Sequence, residues 1–231
     1  MNANWIEPSG RRMYLGPAEL HIWRIALWPE MICPETFSDQ ETVRAARFRT
    51  EQARQRYISS NVAMRDVLSR YLQTSPAQIS IRQQGTEKPR LAATSGTCNV
   101  SFNLSRCGDL ALMTLAASVQ VGVDIECLIP ERYEPGMEDL VLTSNEKAAL
   151  AAIDPADRWR AFLCGWTRKE AYAKCIGLGL SADLTNVELG LTEESIQVEG
   201  IVVTSFVPQQ GFLAAWAAES ALSPSFWNWT P

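Results

Sequence analysis

The sequence predicts an α+β fold built from two similar halves, each running strand, helix, helix and then two or three strands. Three observations carry that prediction. Helical and strand periodicities alternate in blocks along the 231 residues, and a capping-box signature stands ahead of the helical block in each half. A new strand-led unit also opens near residues 118–120. The length suffices for one large domain or two small ones with a sizeable core. The division is therefore placed between an N-terminal unit, 1–118, and a C-terminal unit, 119–231.

In chain order, residues 20–28 read as a strand. Ser38 and Glu41 have capping-box spacing and start a helix in "SDQETVRAARF". A second helix runs from about Glu51 to Leu72, where Tyr57, Ile58, Val62, Leu68, Tyr71 and Leu72 recur at three to four residues. Ser75 and Pro76 mark a turn, and Ile79 to Arg82 is extended. Asn99 to Ser105 alternates Val100, Phe102 and Leu104 with polar neighbours, and "LALMTLAA" after Asp109 completes a hairpin. The second half opens with "QVGVDIE", Gln120 to Glu126. Thr143 and Glu146 cap a short helix, and Asp154-Pro155 supplies the N-cap and first-turn proline of a longer one. Strands are expected at about 186–191, 196–206 and 211–218. The tail "SFWNWTP" is expected to pack onto the body, and residues 83–97 and "LIPERYEPGMED" to form mobile connections.

Composition narrows the chemistry. Hydrophobic residues make up 46% and charged residues 20%, as in ordinary globular domains. The first twenty residues hold no apolar run of signal-peptide length and no later run approaches a membrane span, so a cytoplasmic protein without a membrane partner is expected. The six cysteines include no C-x-x-C pair and read as reduced thiols, mostly core filler. A net charge of −5 argues against a general nucleic-acid binder. The single histidine, His21, lies in a strand and reads as packing. Multi-histidine zinc sites are excluded, and any His-dependent nucleophile would have to run through that one residue. Chemistry must rest on carboxylates, lysines and arginines, with an oxygen-bound metal as one option.

The acids stand out in two places. On the strand "VGVDIE", alternation puts Val121, Val123 and Ile125 on one face and Gly122, Asp124 and Glu126 on the other. The Cα atoms of the two acids then lie roughly 6.5–7 Å apart. Their repulsion is ~1 kcal/mol in water at 4 Å and ~4 kcal/mol at an effective dielectric of 20. A polar face in solvent and a cation site both fit this pair; a divalent ion such as magnesium or manganese suits hard oxygen ligands. On the long helix, Trp159, Leu163, Trp166, Glu170 and Ala173 share one stripe, with Lys174 four residues after Glu170. A surface ion pair and a buried, partnered acid both fit that arrangement.

Together, "GVDIE" (Gly122 to Glu126), "WTRKEAYAK" (Trp166 to Lys174), the following "GLGL", and upstream "KPRL" (Lys88 to Leu91) and "FNLS" (Phe102 to Ser105) resemble the 4′-phosphopantetheinyl transferase family, in its two-lobed monomeric type. The resemblance covers about residues 44 to 180. It implies two α+β subdomains packed as a pseudo-dimer with the active site in the cleft between them. It also implies magnesium-dependent transfer of the phosphopantetheine arm from coenzyme A to a serine of an acyl or peptidyl carrier protein. Carried over residue by residue, Asp124, Glu126 and Glu170 would hold magnesium, or manganese. Glu170 would take the serine proton, directly or through water, and Lys174 would meet the leaving 3′,5′-ADP phosphate.

For coenzyme A, residues 36–72 hold seven arginines against four acids. Arg44 and Arg56 match basic positions of the family, and Lys88 matches the lysine of the lysine-proline element. Ser105 belongs to the Asn-x-Ser element. The family has His-Ser after that element, where this chain has Arg106 and Cys107. Arginine stays charged and can meet a phosphate, but it is longer than an imidazole and bonds differently. The expectation is retained activity with altered affinity for the donor. The alternative is a catalytically weak or silent member that binds coenzyme A or a carrier domain, and a third reading is a metal-dependent phosphate-ester hydrolase.

Overall fold

The computed structural model describes residues 3–27, 37–82, 88–92, 99–132, 134, 136–177 and 184–230. Among these residues, eleven strands and four α-helices follow one another as β1 (Trp5–Ile6), β2 (Glu19–Ala26), α1 (Asp39–Ala46), α2 (Glu51–Leu72), β3 (Ile81–Arg82), β4 (Arg90–Leu91), β5 (Val100–Cys107) and β6 (Leu110–Ala117). The second half continues with β7 (Val121–Cys127), α3 (Ser144–Ala152), α4 (Pro155–Ile176), β8 (Ile196–Val198), β9 (Ile201–Phe206), β10 (Phe212–Ala218) and β11 (Ser223–Asn228). The α+β class is as predicted.

The helices begin where their caps predict. Ser38 and Glu41, and Thr143 and Glu146, each form a reciprocal capping box, while the Asp154 carboxylate accepts from the Ala156 amide ahead of Pro155. Each cap satisfies amides that would otherwise lack partners in the first turn.

The strands form a five-stranded sheet, β1-β11-β2-β6-β5, and an antiparallel four-stranded sheet, β7-β10-β9-β8, with β3 and β4 as a separate small pair. Helix α2 covers one face of the first sheet through Ala63, Val67, Leu68 and Tyr71, which meet Trp23, Ile25, Phe102 and Met113. Leu20, Ile22 and Leu112 on its other face meet Val121, Val123, Ile125 and Trp216 of the second sheet. Helix α4 closes the far side with Ala171, Tyr172 and Cys175 against Val203, Ala215 and Ala217. The order of layers is thus helix, sheet, sheet, helix. Each fully buried Val, Leu or Ile contributes about 1.5–3 kcal/mol.

Three expectations change. Residues 186–191 are not a strand, although Leu189 and Leu191 are buried: Gly190 is in the left-handed region at φ 72°, and buried side chains of α3 and α4 take the backbone groups. The run 196–206 is a hairpin, because Glu199 and Gly200 both have positive φ, 51° and 84°. The tail does more than pack. Its Ser223–Asn228 pairs in parallel with β2, placing the last strand in the sheet of the first half. Within the expected 83–97 connection, residues 88–92 are described and carry β4, which pairs with β3; residues 83–87 and 93–98, and the "LGL" of the post-helix motif, lie outside the described residues. The "LIPERYEPGMED" segment carries two short 3₁₀ turns, Pro130–Arg132 and Met137–Leu140.

His21 packs as expected, its Nδ1 2.7 Å from the Tyr71 hydroxyl, and burial lowers its pKa. Cys107, Cys127, Cys164 and Cys175 are free thiols.

Gly122 shows how closely α4 presses on β7. A Cβ there would lie 2.0 Å from the Ala171 carbonyl oxygen and 2.6 Å from the Cys175 amide nitrogen, both helix backbone. Only glycine leaves room. Gly122→Ala is expected to destabilise the protein by about 1–3 kcal/mol or more, which is a fall of roughly 2–4 °C in Tm per kcal/mol. Thermal denaturation tests this, and an unchanged Tm would contradict the close approach.

Candidate active site

The same approach of helix and strand sets the acids. With Val121, Val123 and Ile125 in the intersheet core, Gly122 and Asp124 turn toward α4. Asp124 is buried. Its Oδ1 accepts from the Lys174 ammonium at 2.6 Å and from the Ser105 hydroxyl at 2.8 Å. Its Oδ2 is buried with no hydrogen-bond partner. Such an orphaned carboxylate oxygen costs free energy unless a donor or cation meets it.

Lys174 also donates to the Ser105 hydroxyl at 3.2 Å and lies 4.0 Å from Glu170 Oε2, one helical turn back. Burial raises the Glu170 pKa; the Lys174 charge opposes that rise and the Asp124 charge adds to it. The helix stripe therefore brings a partly buried acid to the acid of β7, with one lysine between them. Trp166 lies on the same stripe and packs against Phe162, with ring centroids 6.1 Å apart.

Glu126 follows Asp124 by two residues on β7. Its carboxylate accepts from the Cys107 thiol at 3.6 Å. Burial, then Cys127 and the Glu126 charge, pushes the Cys107 thiol well above its ordinary range, which disfavours the thiolate. Among the described residues, no three His, Cys, Asp or Glu side chains are gathered as a metal-holding group. The expected meeting of three acids is thus not made by the side chains as they stand: Lys174 takes one oxygen of Asp124, and Cys107 engages Glu126. The donor chemistry nevertheless suits a hard divalent cation. Asp124 Oδ2 is buried without a partner, and burial and the Asp124 charge raise the pKa of Glu170; a bound cation would meet the first and oppose the second.

Across β5 lies a cavity of about 810 Å³ between α1 and α2, whose walls include Arg44, Arg47, Phe48, Tyr57, Leu104 and Arg106. The Arg106 guanidinium donates to the Ser60 hydroxyl at 2.7 Å and lies 5.4 Å from the centre of the Tyr57 ring; that of Arg44 lies 5.9 Å from the same ring. The ring thus carries two cations. Burial lowers the Arg106 pKa, with Tyr57 opposing and Arg44 reinforcing the shift. A guanidinium keeps its proton in such a setting.

Of the five residues expected to bind coenzyme A, Arg44 and Arg106 line this cavity, and Arg56, Lys88 and Ser105 are not among its lining residues. Arg56 pairs with Asp109 at 2.7 Å. Lys88 donates to the Val121 carbonyl at 2.5 Å, and burial pushes its pKa down to about 8. Ser105 faces Asp124 because strand residues alternate: Leu104 and Arg106 point to the cavity and Ser105 points the other way. Several arginines of 36–72 have ion-pair partners: Arg54 with Glu51, Arg56 with Asp109, Arg65 with Glu41 and Arg70 with Asp66.

Sequence reasoning missed a second buried charge group behind the site. Lys169 is 0% exposed and pairs at 2.9 Å with Glu146, also buried. Its ammonium donates to the Leu184 and Val187 carbonyls, and Glu146 accepts from the Leu189 and Gly190 amides. The signal was present: the residues three and four positions either side of Lys169 are Gly165, Trp166, Tyr172 and Ala173, none of them charged.

Comparison with known proteins bears on this geometry. Residues 120–218 match the sequence model of the 4′-phosphopantetheinyl transferase superfamily, and residues 31–120 match that of the 4′-phosphopantetheinyl transferase N-terminal region. The chain is 30% identical to the 4′-phosphopantetheinyl transferase HetI of Nostoc sp. over 234 residues, 97% of this chain and 98% of that protein. A phosphopantetheinyl transferase of Thraustochytrium sp. is 29% identical over 198 residues, 78% of this chain and 68% of its own length. The transferase AcpT of Salmonella typhimurium is 35% identical over 116 residues, 50% of this chain and 57% of that protein.

Proposed function

Because this chain belongs to the 4′-phosphopantetheinyl transferase superfamily, whose members use coenzyme A to modify carrier proteins, we propose that it transfers the phosphopantetheine arm at the junction of β7 and α4. The acceptor is a serine of an acyl or peptidyl carrier protein. The observation that carries this reading is the array of buried Asp124 with half-buried Lys174 and Glu170, with Asp124 Oδ2 unpartnered, beside an arginine-lined cavity.

Transfer of this kind needs positioning and charge neutralisation more than covalent work by the protein. Arg44 and Arg106 are suited to the phosphates of coenzyme A, since a planar guanidinium matches phosphate oxygens. Arg56, Lys88 and Ser105 are assigned lesser parts, as each has the protein partner described above. Asp124, Glu126 and Glu170 would hold magnesium, or manganese, which when bound would polarise the attacked phosphate. Glu170 accepts the serine proton, which its ionised carboxylate can do within hydrogen-bond reach. Lys174 neutralises the leaving phosphate of 3′,5′-ADP. The protein is read as a cytoplasmic monomer; among the described residues no helix is long and apolar enough to cross a membrane.

The test is incubation with coenzyme A, magnesium and apo-carrier proteins of several pathways. Mass spectrometry is expected to show one phosphopantetheine added to the serine, abolished by chelator and restored by magnesium or manganese. No addition to any carrier would reject the proposal. The close Lys174–Asp124 pair supports a second reading, docking of coenzyme A or a carrier domain without turnover. Calorimetric binding of coenzyme A without product would favour it.

A further inference from the structure

β5 and β7 are outer strands of different sheets, and they meet through side chains instead of a backbone ladder. An outer strand leaves backbone groups that must find partners when buried. Three of those on β7 are met by side chains. Lys88 donates to the Val121 carbonyl at 2.5 Å, the Asn103 Oδ1 accepts from the Val123 amide at 2.9 Å, and the Cys107 sulfur accepts from the Cys127 amide at 3.0 Å. Between these bonds, Ser105 donates to Asp124 and Cys107 to Glu126. Asn103, Ser105 and Cys107 are alternate residues of β5, so one face of that strand registers β7 and both of its acids.

We infer that Asn103 is a positioning residue for Asp124. It is buried, it lies two residues from Ser105 on β5, and it holds the backbone one residue before the carboxylate. Its loss leaves the Val123 amide without a partner at a buried edge and releases β7 to move relative to β5. Asp124 then shifts from Ser105 and Lys174. This inference rests on the reading of Asp124 as a residue of the active site.

The test compares Asn103→Ala, Asn103→Leu and Asn103→Asp in the full chain. Aspartate keeps an acceptor oxygen in the same place; leucine fills the volume without one. Alanine and leucine are expected to lower kcat roughly 10- to 100-fold, the range found when groups that orient metal-ligating side chains are removed. KM for coenzyme A and carrier should stay within about twofold, because the cavity lies on the other face of β5. Amide exchange at Val123 should quicken in both variants, and Asn103→Asp should restore most of kcat and of the exchange protection. Wild-type kcat in the leucine variant, equal losses with aspartate and leucine, or a loss confined to KM would each overturn the inference. Asp124→Ala is assayed alongside. If it retains wild-type transfer, the reading of the site falls; if it is inactive while the Asn103 variants are not, the positioning role alone falls.

Discussion

Asp124→Ala is expected to reduce phosphopantetheine transfer by roughly 10²–10³-fold or more, the usual effect of removing one preorganised electrostatic element from an active site. Asp124 is where three groups converge: it accepts from Ser105 and Lys174, and its charge adds to the raised pKa of Glu170. Without it, Lys174 turns to Glu170 alone, and the Glu170 pKa falls toward the ordinary carboxylate range because a neighbouring negative charge is gone. The unpartnered Oδ2 disappears with the side chain, so the fold should lose little. Circular dichroism and thermal denaturation should match wild type. Asp124→Asn separates shape from charge, since it can still bond Ser105 and Lys174 yet carries no charge. Wild-type turnover in either variant would remove Asp124 from the mechanism.

The second large effect is structural. Lys169→Met is expected to destabilise the protein by about 3–5 kcal/mol, because it leaves the Glu146 charge buried without its counter-ion. Both partners are essentially inaccessible to solvent, so water cannot compensate. The Leu184 and Val187 carbonyls lose a shared donor at the same time. Urea denaturation measures the cost. The double variant Lys169→Met/Glu146→Gln should recover a large part of it, since a buried ion pair replaced by neutral groups is often close to neutral in stability. A single-variant loss below about 1 kcal/mol would show that the pair carries little of the packing between α3, α4 and residues 184–190.

Much of the fold was legible because it is local. Ser38 with Glu41, Thr143 with Glu146, and Asp154 before Pro155 mark helix starts within four residues, and those helices begin there. Alternation along "VGVDIE" separated the core valines from the acids, and helical spacing put Glu170 one turn from Lys174. Residues 186–191 show where local reading fails. Val187, Leu189 and Leu191 alternate as in a strand, yet Arg168, Lys169 and Glu146 supply the backbone partners that another strand would. The tail shows the reverse: its partner, β2, lies some two hundred residues away, and nothing in "SFWNWTP" specifies that pairing.

At the site, the residue types and their spacing were determined by the sequence alone: two acids on one strand face, a third acid and a lysine on one helix face, and arginines concentrated in the first half. Periodicity depends only on backbone geometry, so it can be read before folding. Which of these groups meet was decided only in three dimensions. Ser105 went to Asp124 and Arg106 to the cavity because successive strand residues point opposite ways and β5 stands between the two places. Lys88 and Asn103 were drawn to β7 because its outer edge presents backbone groups that burial obliges other residues to satisfy, and that demand exists only once two sheets have come together.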